Sequence, residues 1–298
     1  MTGPTTGPMI GPTPGPTTGY DARRGWGLLA PALIWTLAFF AAPLVWMACM
    51  SLWRRTAQGI ARDWSLDNYT AFFTKPAYFA GLVNSVEITA IVVVASVLLA
   101  YPLAAIIAFR VPARWRRLAL LLAVLPFWTS YVVRSYAWLL VLSKGGIVND
   151  ALMASGLIDA PVAIANTRAG TVIGFVHFFV MLMTLTIYAD LARLPRSYIR
   201  AAADLGAGPV RIFRHVILPL TLPGVCIGAF LTLVVCIGDY ITPQILGGNA
   251  ELTLPQLIMM QIGRRADFPA AAAMALILMA VIALAYLALA RWMKAQRT

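Results

Sequence analysis

The sequence predicts an all-α, polytopic membrane protein with six transmembrane helices, and three observations lead to this fold class. First, 61% of the 298 residues are hydrophobic and only 11% are charged, which leaves too little polar surface to cover a soluble globule of this size. Second, six apolar runs reach the length of about 20 residues that a helix needs to cross the hydrocarbon core. Third, these runs are continuously apolar and lack the in-and-out alternation of barrel strands.

The six predicted spans cover about residues 28–50, 82–109, 118–142, 171–189, 220–238 and 270–290. Residues 1–24 precede them and begin with a Pro/Gly/Thr tract, which has no apolar core to bury and is predicted to be a disordered cytoplasmic tail. We expect no cleaved signal peptide, because the first apolar run already has the length of a span. The three cysteines lie inside spans without paired spacing, so we interpret them as buried apolar residues.

The distribution of Lys and Arg predicts that both termini lie in the cytoplasm, because cationic loops near span ends tend to stay on that side. Fourteen cations fall on the side of the termini: Arg23, Arg24, Arg110, Arg114, Arg116, Arg117, Arg193, Arg196, Arg200, Arg211, Arg214, Arg291, Lys294 and Arg297. Eight others lie in the odd-numbered connections, where acidic residues dilute them. The net charge of +12 is therefore mostly a topology signal with attraction to the lipid bilayer, and we predict no nucleic-acid partner.

Several functional classes are disfavoured by motifs that the sequence lacks. No phosphate-binding loop of the form G-x-x-x-x-G-K-[ST] occurs, so we do not expect this chain to bind ATP by that route. No zinc-protease motif, nucleophile elbow or Cys/His cluster occurs, and the isolated His177 and His215 are interpreted as structural residues. We therefore predict no catalytic residue, no metal site and no cofactor bound by this chain, and an intramembrane enzyme is unsupported.

The connection between the fourth and fifth spans, residues 193–219, is predicted to form two short helices with a glycine bend between them. Ala201 to Leu205 favour a helix, Gly206 breaks it, and Gly208 with Pro209 supplies the turn before the second helix. On that second helix we expect one apolar face and one basic face: Val210, Phe213 and Ile217 against Arg211, Arg214 and His215. This elbow either seats in a groove of a soluble partner or lies on the headgroups, and the residues alone leave both open.

The spacing Ala201-Ala202-x3-Gly206-x9-Val216-x-Leu218-Pro219 resembles the loop signature of ABC-importer permeases, E-A-A-x3-G-x9-I-x-L-P. The resemblance implies that the elbow is a coupling helix that sits in a cleft of an ATP-hydrolysing subunit. The coupling residues that it implies are Arg200, Ala201, Ala202, Asp204, Leu205, Gly206, Phe213, Leu218 and Pro219. One departure is that Arg200 stands where the signature usually has Glu, which reverses a charge at the start of the helix.

Two further segments, Pro126 to Trp138 and Gly238 to Gly248, resemble the PFWTSxxVRxYAW and GDxxTPxLLGG signatures of spermidine/putrescine permeases. For residues 25–298 the resemblance implies a type I ABC-importer permease in the bacterial inner membrane, similar to the first of two such permeases. It also implies a second homologous permease, two copies of an ATPase that uses ATP and Mg²⁺, and an extracytoplasmic solute-binding protein. Relatives with these signatures are associated with other cationic or small organic solutes as well.

Charged residues inside spans are costly and usually functional, so Glu87, Arg134 and Asp239 are candidates for the solute path. By the predicted orientation, all three lie towards the external mouth. Aromatic residues accompany them and complete the candidate set: Trp128, Tyr131, Tyr136 and Tyr240. Two carboxylates and several ring faces suit a flexible organic cation. In the alternative interpretation, Arg134 pairs with Glu87 or Asp239 to neutralise a buried charge, and the aromatics form an interfacial belt.

For the mechanism we expect alternating access driven by the partner ATPase through the elbow. Pro219, Pro223, Gly224 and Gly228 cluster in the cytoplasmic half of the fifth span, which makes this span a candidate gate against the second permease, although a packing role for the two glycines fits equally well. A secondary transporter would need an intramembrane ion site, and a channel would not need a docking elbow.

Overall fold

The structure is a computed structural model that describes residues 29–248 and 251–295. The tail predicted at residues 1–24 lies outside the described residues. The chain divides into two compact units, Met1–Cys49 and Met50–Thr298.

The described part of the first unit belongs to helix α1, Leu29–Ser51, whose last two residues fall in the second unit. A π-helical turn interrupts α1 at Leu37–Ala41. The rings of Trp35 and Phe39 stack with their centroids 4.2 Å apart. Large apolar side chains of α1 such as Ile34 and Phe40 are two-thirds exposed, which suits a helix surrounded by lipid.

The second unit begins with a small antiparallel hairpin that the sequence analysis did not predict. Its strands are β1, Arg54–Thr56, and β2, Gly59–Ala61, with Arg54 opposite Ala61. The helices that follow are α2 (Asp67–Thr74), α3 (Pro76–Arg110), α4 (Ala113–Val124), α5 (Tyr131–Leu142), α6 (Ile147–Ala154), α7 (Arg168–Arg193), α8 (Arg196–Asp204), α9 (Pro209–Gly238), α10 (Ile241–Leu246), α11 (Leu254–Gly263) and α12 (Phe268–Ala295).

Within the described residues, six helical segments are long and apolar enough to cross a membrane: α1, α3, Tyr131–Ala154, α7, α9 and α12. This agrees with the predicted number of spans. The third span differs, because the apolar run at 118–142 is not one helix. Helix α4 ends at Val124, a 3₁₀ turn covers Leu125–Trp128, and the next two residues are extended. Pro126 explains the break, since it lacks a backbone N–H and its ring clashes with the preceding turn.

The core of the second unit lies between α3, α7 and α9. Towards the predicted cytoplasmic side, Ala100 and Ala104 of α3 pack against Met183 and Ile187 of α7. Towards the outer side, larger side chains fill the space between the helices, and two of them are aromatic residues of α7. This second cluster consists of Ile88, Val92, Phe175, Phe179 and Cys236. Small residues on α3 therefore let the inner halves of the helices approach closely.

Gly224 and Gly228 of α9 face α7 of the same chain. A Cβ atom at Gly224 would lie 2.9 Å from the Thr186 carbonyl oxygen, and one at Gly228 would lie 2.6 Å from Met183 Sδ. Both positions therefore require glycine for close packing. This geometry fits the alternative of a packing role for the two glycines, and the candidate gate role of the fifth span stays a prediction.

Candidate functional site: the cytoplasmic elbow and an outer polar cluster

The elbow between α7 and α9 contains the predicted helix–glycine–helix shape. Helix α8 ends at Asp204, and Gly206, two residues further, has φ +78°. The Gly206 N–H donates to the Ala203 carbonyl at 2.9 Å, and the Ala207 N–H donates to the Ala202 carbonyl at 3.0 Å. These two bonds form a Schellman motif, which favours glycine at this left-handed position. Gly206 therefore fixes the direction in which the chain leaves α8.

The tip of the elbow is apolar and open. Leu205, directly before the glycine, is 89% exposed, and Val210 at the start of α9 is 77% exposed. Pro209 holds the first position of α9, and the Ile212 N–H donates to the Gly208 carbonyl at 3.0 Å. Two exposed apolar side chains on a rigid turn form a surface that can fit a groove of a soluble partner.

The predicted apolar face of the second helix is wrong for one of its three members, Val210. Val210 points outward, and Ile212 is the buried residue of that turn. The ring of Phe213 meets Tyr101 of α3 edge to face at 5.4 Å between centroids. Ile217 packs against the inner core cluster, so Phe213 and Ile217 do share the inward face as predicted, and Val210 departs from it in the first turn of α9.

Helix α9 is anchored to α3 just beyond the elbow. The Tyr101 hydroxyl of α3 and the Thr221 hydroxyl of α9 are 2.7 Å apart, and Thr221 also donates to the Ile217 carbonyl at 2.9 Å. Leu218 packs against the inner core cluster, whereas Pro219 is exposed. These contacts join the start of the fifth span to α3.

The remaining predicted coupling residues lie on α8, and they face different surroundings. Ala201 and Asp204 are exposed, and Ala202 is half-buried. Arg200 lines a groove beside the end of α3. The reversed charge therefore lies in this groove, which Pro209 also lines.

At the opposite, outer end, Asp239 joins α5 to α10. It follows α9 and accepts hydrogen bonds from the backbone N–H groups of Ile241 at 2.9 Å and Thr242 at 3.2 Å. The Tyr131 hydroxyl of α5 donates to the same carboxylate and lies 2.5 Å from the Thr242 hydroxyl. Charge-assisted bonds of this kind are strong, so Asp239 is held in place by three donors.

Arg134 is buried beside this cluster without a carboxylate partner among the described residues. Its Nη1 atom donates to the Pro126 carbonyl at 2.9 Å. The guanidinium lies 4.6 Å from the centre of the Phe178 ring and 5.2 Å from that of Tyr131. The alternative that Arg134 pairs with Glu87 or Asp239 is therefore wrong. The 3₁₀ turn presents the Pro126 carbonyl, which also accepts from the Thr129 hydroxyl at 2.7 Å, and two rings supply the rest of the environment of Arg134.

Glu87 belongs to a different cluster from Arg134 and Asp239, and the prediction that all three lie towards the external mouth stays a prediction. It forms an ion pair with Arg168 at the start of α7. Arg168 Nη1 also lies 3.7 Å from a carboxylate oxygen of Glu251. Arg168 was not predicted as the partner, although the alternation of spans places it at the same outer level as Glu87.

The aromatic candidates divide into packed and open rings. Trp128 is 78% exposed, Tyr136 54% and Tyr240 37%, so these three offer free ring faces, whereas Tyr131 is committed to hydrogen bonds. Phe178, which the sequence analysis missed, packs under Arg134; its position next to His177 in the fourth span was the available signal. His177 accepts a hydrogen bond from Trp138 Nε1 at 2.9 Å, which fits a structural role.

Comparison with known proteins gives consistent results. Residues 100–297 match the family described as "Binding-protein-dependent transport system inner membrane component". The spermidine/putrescine transport system permease protein PotB of Escherichia coli K12 is 32% identical over 251 residues, which cover 84% of this chain and 90% of the relative. The inner membrane ABC transporter permease protein YdcU of the same organism is 31% identical over 274 residues, which cover 88% and 86%.

A solved structure matches the fold. The crystal structure of a bacterial alginate ABC transporter in complex with an alginate pentasaccharide-bound periplasmic protein contains a chain that superimposes with a TM-score of 0.71. The match covers 91% of this chain and 94% of that chain at 17% identity. At this identity the similarity establishes the fold alone.

Proposed function

We propose that this chain is a permease subunit of an ATP-driven polyamine importer. The chain belongs to the family of inner membrane components of binding-protein-dependent transport systems. The chain is a multi-pass inner membrane protein and a transport subunit. The observation that carries the choice of solute is the 32% identity to a spermidine/putrescine permease over 84% of the chain. Spermidine and putrescine are flexible organic cations, and the outer cluster has chemistry that suits them.

The proposed solute path passes the open rings of the outer cluster. Trp128, Tyr136 and Tyr240 present ring faces, and an ammonium over such a face gains about 0.5–2 kcal/mol. Asp239, which precedes Tyr240 and accepts from Tyr131, supplies a fixed negative charge. Glu87 is a second outer carboxylate in a separate place, where Arg168 already neutralises it. The path therefore relies on one carboxylate and several rings rather than on two converging carboxylates.

The elbow is proposed as the site where a separate ATPase subunit docks. The exposed Leu205 and Val210 would insert into a groove of that subunit, and the Tyr101–Thr221 contact would pass its movement to α3 and α9. The partner would bind ATP and Mg²⁺, and this chain would bind neither. Two ATPase copies, a second homologous permease and an extracytoplasmic binding protein complete the proposed assembly.

A second candidate is a permease of the same family for another small organic cation or solute. The observation that favours it is the 31% identity to YdcU over 88% of the chain, since the printed name of that relative states no solute. Open aromatic faces do not distinguish one organic cation from another.

The first test is uptake of labelled spermidine and putrescine by cells that lack this gene, with and without the wild-type chain and its partner subunits. We expect restored, ATP-dependent uptake. Trp128→Leu should raise KM by about threefold to tenfold through the loss of one ring face. Trp64→Leu, at a 73% exposed position in the outer connection, is the matched control. Uptake of neither polyamine, with uptake of another organic cation, would favour the second candidate.

A further inference from the structure

A cationic groove lies on the cytoplasmic side, between the end of α3, helix α8 and the first turns of α9. Its volume is about 630 Å³. Three arginines and several apolar side chains line it: Arg110, Arg196, Arg200, Phe109, Ile199 and Ile212 are among the lining residues. The groove belongs to the same elbow as the apolar tip but opens towards α3.

The three guanidiniums have no anionic partner within the described residues. The ion pairs formed in residues 29–248 and 251–295 involve Arg54 and Arg168, both in the outer connections. Like charges that share one groove repel each other unless an anion lies between them. Arg200 increases this excess, because it stands where the loop signature usually has a carboxylate. The groove therefore carries an uncompensated positive charge that would attract an anion.

An apolar groove continues from the cationic one along α3. It has a volume of about 610 Å³ and is lined by Pro102, Ala105, Ile106, Phe109 and Arg110. The last two of these residues line both grooves. The segment from Pro102 to Arg110 rises by about 12 Å along the helix. One continuous surface thus has positive charge at its cytoplasmic end and apolar side chains towards the membrane interior.

The position along the chain places this surface at the level of the headgroups. Arg110 is the last residue of a membrane-spanning helix. Trp115, five residues further, is 52% exposed and lies beside the Arg114 guanidinium at 5.9 Å. Exposed Trp and Arg next to a span end are typical of the membrane interface. An anion that reaches the three arginines can therefore extend into the bilayer.

From these observations we propose that the groove binds one anionic phospholipid, with its phosphate among Arg110, Arg196 and Arg200 and an acyl chain along α3. A free phosphate matches the cationic part only and leaves the apolar part unused. An acidic protein segment would likewise have no use for an apolar groove at membrane depth. Basic sites between transmembrane helices on the cytoplasmic side commonly bind anionic lipids.

The test uses the assembled transporter with its partner subunits in detergent. Short-chain dioctanoyl phosphatidylglycerol is titrated while the thermal stability of the complex is followed, since a ligand that binds the folded state raises it. Each Arg→Gln change at Arg110, Arg196 or Arg200 should weaken binding about fivefold, and the triple variant about 100-fold. The triple Arg→Lys variant should retain most of the affinity.

The matched control is the double variant Arg211→Gln and Arg214→Gln, which removes two charges from the same elbow at positions that line a different surface groove. It should change the affinity for phosphatidylglycerol less than twofold. Equal affinity of the triple Gln variant and the wild type would overturn the proposal. Circular dichroism and retention of the partner subunits show whether each variant is folded and assembled.

Two further experiments distinguish a phospholipid from a free phosphate and from an acidic protein segment. Inorganic phosphate and glycerol 3-phosphate should bind far more weakly than phosphatidylglycerol, because they lack the acyl chain. Equal competition by inorganic phosphate would assign the groove to free phosphate and contradict the lipid assignment. Loss of the ATPase subunit from the triple Gln variant, with no phosphatidylglycerol binding by the wild-type complex, would instead identify an acidic protein segment and would also contradict it.

Discussion

The Tyr131 hydroxyl connects two parts of the outer cluster through one short group of hydrogen bonds. It donates to Asp239 and contacts the Thr242 hydroxyl, while its ring lies 5.2 Å from the Arg134 guanidinium. The Tyr131 hydroxyl thus orients the carboxylate of Asp239. Tyr131 belongs to helix α5, which also carries the exposed ring of Tyr136. At this scale, one hydroxyl positions the proposed counter-ion of the solute relative to the rings.

Tyr131→Phe removes this hydroxyl and keeps the ring over Arg134. We expect the variant to lose about 1–2 kcal/mol of stability, because two polar groups lose a hydrogen-bond partner at a part-buried site. KM for uptake should rise as Asp239 loses its orientation. Thermal unfolding in detergent and an uptake titration measure the two effects.

Tyr136→Phe is the matched control, since this tyrosine is 54% exposed and its hydroxyl makes no hydrogen bond to the described residues. A loss of stability as large in Tyr136→Phe as in Tyr131→Phe would mean that the cluster does not account for the effect.

The sequence identified Arg134 and Asp239 as residues of interest but could not identify their partners. Charge inside an apolar run is visible in a sequence, whereas the Pro126 carbonyl becomes an acceptor for Arg134 only because the helix breaks there. The Phe178 ring under the guanidinium comes from another span. Such contacts depend on the rotation of each helix, which apolar composition leaves undetermined.

At the scale of the elements, the elbow depends on the left-handed backbone conformation of Gly206. Its other glycine, Gly208, does not adopt this conformation. Gly206 has φ +78°, whereas Gly208 has φ −68° and ψ 166° as the N-cap of α9. A Cβ atom at either glycine would meet nothing within 4 Å. Both positions therefore have room for a side chain, and they differ only in backbone conformation.

Gly206→Ser should weaken coupling between ATP hydrolysis and uptake. A side chain in the left-handed region costs about 1–2 kcal/mol, which disfavours the Schellman turn that sets the angle between α8 and α9. Gly208→Ser is the matched control, because serine is a preferred N-cap residue and this backbone is extended. Uptake and ATPase activity of the reconstituted transporter are measured together. Coupling that is equally intact in both variants would argue against a role of this turn.

The helices themselves were largely predictable, since a long apolar run in a membrane protein has few alternatives to a helix. The number of crossing segments was correct. The broken third span and the π-helical turn at Phe213–Ile217 were not predicted. Both features depend on local backbone geometry, which proline residues and tertiary packing determine. The hydrophobic composition of a segment does not report this geometry.

Across the second unit, one cation connects segments that are far apart in the chain. Arg168 at the start of α7 pairs with Glu87 of α3 and with Glu251 before α11. The same region is held by the Leu254 N–H, which donates to the Ser85 hydroxyl at 2.8 Å, and by Asn84, which donates to the Leu252 carbonyl at 3.2 Å. The outer ends of these segments therefore form one connected patch.

Arg168→Gln removes both ion pairs and tests how much this patch depends on charge. The three side chains are about a third to half exposed, so we expect a loss of no more than about 1 kcal/mol at low salt. Thermal unfolding at low salt and at 1 M salt separates the contributions, because the Debye length falls to about 3 Å and screens exposed pairs. Arg54→Gln, which breaks the single pair with Asp67, is the control and should lose less. If the Arg168→Gln deficit persisted undiminished at high salt, the patch would be held by the hydrogen bonds of Asn84 and Ser85 and by packing rather than by its charges.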